Sequence, residues 1–219
     1  MNLTTRFNEI VNNFNECVYH VLGCGAIGSS AALQLTRMGA EEFLLYDFDK
    51  VSSENIGVSQ FYQKDIGKYK VDALREHMLE INPEAEITIM PSRFEVFEYT
   101  GREKNVMILA FDSMDSRKEA VVNALKTNQK PWLLIDGRMG AEHYQQYTFI
   151  NPQLRDYMKT WYSDEDGSSE PCNAKATAYC SNMSGSFIAN QVRKAITNQG
   201  INKEFFFNFP TLKLGKSVD

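Results

Sequence analysis

At 219 residues, with 43% hydrophobic and 23% charged side chains, the chain is long enough to bury a core and too apolar to stay disordered. Its net charge of −5 disfavours broad binding to nucleic acid or to an anionic membrane, because both attract basic surfaces. No apolar run approaches the roughly 20 residues that span a bilayer, and Met1-Asn2-Leu3-Thr4-Thr5-Arg6 lacks the apolar centre of a secretory signal, so a cytoplasmic location is expected.

Phe7, Ile10, Val11 and Phe14 recur at spacings of three and four, which predicts a helix over residues 1–16. A strand follows at 17–22, then the turn Gly23-Cys24-Gly25-Ala26-Ile27-Gly28, then a helix from Ala26 to Met38 with Gly39 as its left-handed stop. A second strand at 42–47 runs into Asp47-Phe48-Asp49, and a polar loop with short helical turns covers 50–68. Lys70 to Ile81 places Val71, Leu74, Met78 and Ile81 on one helical face and stops at Asn82-Pro83, since the residue before a proline avoids the helical region.

Glu86 to Met90 alternates as a third strand, and Val106 to Ala110 is continuously apolar, as a buried parallel strand is. A helix is expected from Asp115 to Asn128, a buried strand from Pro131 to Ile135, and a half-exposed alternating strand from His143 to Ile150. Residues 151–176 are polar and aperiodic, and a loop of that length inside a compact domain is usually functional or mobile. Ala178 to Thr197 reads as the last helix, and Phe205 to Phe209 as an edge strand or docking segment.

Strands alternating with helices predict an α/β fold: a Rossmann-like, doubly wound, mostly parallel sheet with helices on both faces and an added antiparallel edge, all in one domain over 1–219. Ligands of such sheets bind at the carboxyl ends of the strands, so Gly23, Asp47, Asp112 and Asp136 are expected to converge on one crevice. In the glycine turn, Gly23 permits the tight bend, Gly25 lets backbone approach a phosphate, and Gly28 permits close helix–strand packing. The helix start at Ala26, Ile27 and Gly28 offers free N–H groups to an anion. Asp47 stands where an acid accepts hydrogen bonds from ribose, although an acid there can also simply end the strand.

Asp47-x-Asp49-x-Val51, Glu54-Asn55-Ile56, Gln60-Phe61 and Asp65-Ile66-Gly67-x-x-Lys70 come next, followed by Ile81-Asn82-Pro83, Ala110-Phe111-Asp112-Ser113 with Arg117, and Asp136-Gly137-Arg138. In this order, over most of residues 17–195, the chain resembles the ubiquitin-activating-enzyme-like adenylyltransferases of the ThiF/MoeB/HesA type. The resemblance implies a nucleotide-binding half at about 17–136, a crossover loop at about 151–176 and a C-terminal helix and tail at 177–219. It implies ATP and Mg²⁺, with Lys70 and Asn55 on the phosphates, Asp47 on the ribose and Asp112 on the metal. Asp49, Gln60, Ser113 and Arg117 complete the implied nucleotide set. The implied substrate is the C-terminal carboxylate of a ubiquitin-like or sulfur-carrier protein or a peptide, and the implied assembly a homodimer.

Each of these residues has a plainer reading. Lys70 could be a solvated helix-start lysine, Asn55 a turn residue and Asp112 a helix cap. Arg117 at a helix start opposes the dipole and could pair with a nearby acid. Arg138 could guide the partner's tail or be a surface arginine in a turn. Cys172, in Glu170-Pro171-Cys172-Asn173-Ala174, could attack an acyl-adenylate to give a thioester, or be a packing cysteine.

The chain also departs from the family. Val58 and Ser59 stand where an arginine-glutamine pair is usual, Gln60 comes one residue later, and no arginine lies between Asp49 and Lys70. A partner subunit often contributes an arginine in this family, and Arg6 is the only basic residue of the expected N-terminal helix. The zinc-binding cysteine pairs of many relatives are missing, so structural zinc is not expected. His20, His77 and His143 form no metal spacing. An NAD-dependent oxidoreductase also fits the glycines and Asp47 but leaves the Asn55–Lys70 segment unexplained. A non-catalytic relative acting as a binding or regulatory subunit fits the missing arginine.

Overall fold

The computed structural model describes residues 3, 6–10, 13–126, 129–165 and 176–216. Strand β1 (Cys17–Leu22) is buried at every position, as the middle strand of a sheet covered on both faces must be. It pairs in parallel with β2 (Glu42–Tyr46) on one side and β4 (Lys104–Leu109) on the other. Beyond them lie β3 (Glu86–Met90), parallel to β2, and β5 (Leu133–Gly140), parallel to β4. Strands β6 (His143–Ile150), β7 (Glu204–Asn208) and β8 (Lys213–Lys216) then continue the sheet antiparallel, giving the order β3-β2-β1-β4-β5-β6-β7-β8.

Successive side chains of a strand point to opposite faces, and β1 divides the core accordingly. Cys17, Tyr19 and Val21 pack under helices α1 (Ala26–Arg37), α2 (Lys70–Ile81) and α5 (Ala178–Ile196). Val18 and Leu22 pack with α3 (Met114–Leu125) and Tyr157 of the short α4 (Leu154–Met158). Helices α1 and α5 approach so closely that a Cβ on Gly185 would lie 2.4 Å from Ser30 Oγ. The chain leaves β1 toward β2 and later returns to the other side of β1 with β4. Their carboxyl ends therefore flank the crevice where the strand order reverses.

Four expectations are corrected. No helix forms among the described residues before 14: residues 6–10 are turns, and a 3-10 turn spans Phe14–Glu16. Phe14 is buried while Ile10 is 64% exposed, so the spaced apolar residues do not share one buried face, and a short helix without such a face is marginal in water. Strand β5 does not end at Ile135 but runs to Gly140, because Asp136–Gly140 pair with His143–Tyr147 of β6. Asp136 is thus inside β5, level with Leu109 at the end of β4, not at its own strand's carboxyl end. The long polar loop contains helix α4, and the tail forms a β7–β8 hairpin in which β8, not the phenylalanine run, is the edge.

Candidate functional site

The glycine turn leaves β1 with Gly23 at φ +92, and its N–H donates to Tyr46 O at 2.8 Å. A Cβ at Gly23 would lie 2.8 Å from Ala110 O, so this turn touches the exit of β4 directly. A Cβ at Gly28 would lie 1.8 Å from Gly23 O, so the first turn of α1 rests against the turn that precedes it. Gly25 is the N-cap of α1; among the described residues no side chain caps that helix and nothing lies within 4 Å of where its Cβ would be. Among the described residues the first N–H groups of α1, at Ala26, Ile27 and Gly28, are therefore left without a side-chain cap, where the helix dipole favours an anion.

Asp47 closes one side. Its Oδ2 accepts from Cys24 N at 2.7 Å and its Oδ1 from Asp49 N at 2.8 Å. Burial raises its pKa above the ordinary carboxylate value, against the Lys70 charge and those two amides. Lys70 opens α2; its N–H donates to Asp49 O at 2.9 Å, and its Nζ lies 2.8 Å from Asp49 Oδ2. Lys70 is thus no freely solvated lysine: its side chain is 11% exposed and held toward Asp47 and Asp49.

Asn55 takes part in a turn, with Oδ1 accepting from Ser52 N at 2.9 Å and Ser52 Oγ at 3.3 Å, which leaves its NH₂ group uncommitted among the described residues. Gln60 bridges elements: its N–H donates to Ser29 Oγ of α1 at 3.1 Å, and its Nε2 to Asn182 Oδ1 of α5 at 2.5 Å.

Across the crevice, Asp112 follows the end of β4. It is exposed and has no hydrogen-bond or ion-pair partner among the described residues. Ser113, not Asp112, is the N-cap of α3, accepting from Ser116 N at 3.2 Å. Ser113 Oγ also donates to Asp164 Oδ2 at 3.1 Å, and Asp164 Oδ1 accepts from Met114 N at 2.7 Å. The Met114 amide, then Ser113 and the Asp115 amide, hold the Asp164 carboxyl below its ordinary value.

The two arginines turn inward. Arg117 is buried and pairs with Asp136, as an arginine placed against a helix dipole needs; it also donates to Leu109 O at 3.4 Å and to Phe111 O. Arg138 belongs to β5 and is 6% exposed, so it is not a surface turn residue. Its Nη2 donates to Asp136 Oδ2 at 2.7 Å and its Nη1 to Thr160 O at 2.7 Å, with the Tyr147 and Tyr162 rings beside it. Burial opposes the Arg138 charge, but the Asp136 carboxylate outweighs it and raises the pKa above the usual arginine value.

The glycine turn, Asp47, Asp49, Lys70, Asp112 and Ser113 therefore gather around the carboxyl ends of β1, β2 and β4. Arg117 and Arg138 stand behind them on Asp136. Cys172 lies outside the described residues. Cys17, Cys24 and Cys180 are free, buried thiols; burial pushes Cys17 and Cys180 up to about 11 and also pushes Cys24 well up. Asp164 escaped the sequence, because an acid in an aperiodic polar stretch carries no mark of a contact 50 positions away. Asp136 was visible as an acid near a strand end but not as the partner of two arginines.

A single exposed carboxylate such as Asp112, beside β4 in the same crevice as the start of α1, is of a kind that fits Mg²⁺, which takes one or two carboxylates together with phosphate oxygens and water. Among the described residues no cluster of three or more His, Cys, Asp or Glu side chains forms a protein-only metal site.

Residues 7–217 match the ThiF family. The chain is 34% identical over 83 residues to ubiquitin-like modifier-activating enzyme 5 of Caenorhabditis elegans, covering 36% of this chain and 20% of that one. The enzyme of the same name from Dictyostelium discoideum is 29% identical over 164 residues, 74% of this chain and 38% of its own. The chain thus spans well under half the length of these relatives. Among solved structures, E. coli MccB superposes with a TM-score of 0.73 at 18% identity, over 99% of this chain and 69% of that one. E. coli MccB with AMPCPP and MccA gives 0.71 at 17%, over 99% and 71%. PaaA gives 0.70 at 18%, over 99% and 68%. At such identities the superpositions bear on the fold, which they place with these proteins. A match over nearly the whole chain settles its kinship: the chain belongs to the ThiF family.

Proposed function

We propose that this chain uses ATP to adenylate the C-terminal carboxylate of a small protein or peptide, of the ubiquitin-like or sulfur-carrier kind. The observation that carries this reading is the crevice itself. Among the described residues, an uncapped helix start and Lys70 stand on one side of it, and an unpartnered, exposed Asp112 stands on the other. Its relatives support the substrate class: one is a ubiquitin-like modifier-activating enzyme, and MccB was crystallised with MccA.

In the reaction, a carboxylate oxygen of the guest tail attacks the α-phosphorus, the bond to the bridging oxygen breaks, and diphosphate leaves. The α1 N–H groups and Lys70, exchanging Asp49 for phosphate, stabilise the charge that moves to the leaving group. Asp47 accepts from the ribose hydroxyls, and Asn55, Gln60 and Ser113 offer neutral hydrogen bonds around the phosphates. Asp112 would hold Mg²⁺, whose charge would neutralise that of the triphosphate. Missing from the segment between Asp49 and Lys70 is an arginine, and we assign that charge to a second copy of the chain in a homodimer, with the exposed Arg6 as the donor. Cys172 then takes the acyl group as a thioester, with AMP as leaving group. The cytoplasm is the proposed compartment.

ATP–pyrophosphate exchange with candidate ubiquitin-like proteins and peptides tests the reading. Lys70→Ala and Asp112→Ala should each lower exchange by about 100-fold. Unimpaired exchange in either variant overturns the site. ATP binding without AMP formation, with every candidate, would instead favour a binding subunit, the reading that the missing arginine also fits.

A further inference from the structure

We propose that Asp136 is a positioning residue for Asp112, acting through Arg117 before it in the chain and through Arg138 and Thr160 after it. This rests on the adenylation reading, in which Asp112 holds Mg²⁺. Asp136 has no solvent exposure and lies level with Leu109, the last residue of β4. Its Oδ1 takes Arg117 Nη1. Its Oδ2 takes Arg138 Nε at 3.0 Å, Arg138 Nη2 at 2.7 Å and the Tyr157 hydroxyl at 3.2 Å.

What these partners do next is the point. Arg117 donates onward to the carbonyls of Leu109 and Phe111, the backbone that leads into Asp112. Arg138 donates onward to Thr160 O at 2.7 Å and Thr160 Oγ1 at 3.3 Å. Thr160 begins a short segment laid on the start of α3: Trp161 Nε1 donates to Met114 O at 2.9 Å, and Asp164 accepts from Met114 N and Ser113 Oγ. The backbone immediately before and immediately after Asp112 is therefore tied, through two guanidinium groups, to one buried carboxylate. Asp112 itself is left exposed and unbonded among the described residues.

Stability alone is a poor reason for such a cluster, since well-packed apolar groups often replace a buried ion pair at no loss. Placement is a better one. A metal-binding carboxylate must be held to within about 0.5 Å, and supporting groups behind metal ligands typically contribute 10- to 100-fold in affinity. A restraining bond made by Asp112 itself would spend the oxygens that a metal needs.

Two measurements on the whole chain test this. The first is ATP binding by calorimetry, with Mg²⁺ and with EDTA, for wild type and Asp136→Asn. Binding with Mg²⁺ should weaken by about tenfold in the variant, while binding in EDTA stays within about twofold, because the glycine turn, Asp47 and Lys70 are untouched. Equal weakening in both buffers marks a merely structural role and overturns the proposal, as does no weakening in either. The second is hydrogen–deuterium exchange of the nucleotide-free protein: amides of residues 110–116 should exchange faster in Asp136→Asn, with those of 23–30 unchanged. Should Asp136→Asn fail to fold, Asp164→Asn, on the more exposed arm, carries the same two predictions, and unchanged exchange over 110–116 then overturns the proposal. A wild-type chain that binds no ATP in either buffer defeats the adenylation reading, whereas wild-type binding with an unselective variant defeats only the role of Asp136.

Discussion

Asp47 shows how burial tunes one carboxylate in the crevice. Its folded-state pKa is raised by burial, so between the ordinary carboxylate value and the raised one the folded chain keeps a proton that the unfolded chain has released. The group therefore favours unfolding more as pH rises through that window. In the proposed role of ribose acceptor it must be ionised, so as pH falls nucleotide affinity should start to drop at a higher pH than an unperturbed aspartate would give, and Asp47→Asn should flatten that profile; calorimetry across pH 4 to 7 measures both. The thiols give a second test. With pKa values pushed up by burial, Cys17, Cys24 and Cys180 should resist iodoacetamide in the native protein and react only on unfolding, as peptide mass mapping would read out.

At the glycine turn, neighbouring positions that look alike in the sequence have opposite physical demands. Gly28 has no room: an added Cβ would sit 1.8 Å from Gly23 O, so Gly28→Ala should cost about 3 kcal/mol in urea unfolding. Gly25 has nothing nearby among the described residues; its demand is on the backbone, because φ −77 with ψ −144 lies outside the regions that a residue with a Cβ favours. Gly25→Ala should cost about 1 to 3 kcal/mol through backbone strain rather than overlap, and should weaken ATP binding by filling the space in front of the helix start. The motif was legible because its chemistry is local. The N-terminal segment was misread for the converse reason: Phe7, Ile10 and Phe14 have helical spacing, but only contact with the core decides whether that spacing is used. Phe14 is pinned instead by burial and by Tyr19 OH donating to its carbonyl at 2.8 Å.

The full sheet sets how the protein answers acid. His20 sits inside β1 with no exposure; its Nε2 lies 2.9 Å from Asn105 Oδ1 of β4, and Phe97 packs on its ring. Burial lowers its pKa to about 4 against the help of Asn105. The folded value lies below the ordinary 6.5, so the unfolded chain takes up the proton first as pH falls. Stability from this group is complete above pH 6.5 and is lost between there and pH 4, by roughly 3 kcal/mol. An NMR titration should find the imidazole neutral down to about pH 4; titration near 6.5 would show that it is not buried as described.

Much of this protein is written in local pattern. The continuous apolar strands, the glycine turn, the acids after β2 and β4 and the proline stop after α2 each follow from short-range sterics or periodicity, and together they identify a doubly wound sheet and the crevice at its strand ends. The hub at Asp136 is not written there. One acid and two arginines, separated by 19 residues on one side and two on the other, become a charge cluster only when β5 is extended by its hairpin with β6 and α3 folds back across the sheet. The cap that Asp164 lends to α3 depends in the same way on a contact across 50 residues. Backbone preferences act over a few residues and leave a mark at each position; a charge buried between distant elements has its energy set by desolvation, which no stretch of sequence exhibits until the chain has closed around it.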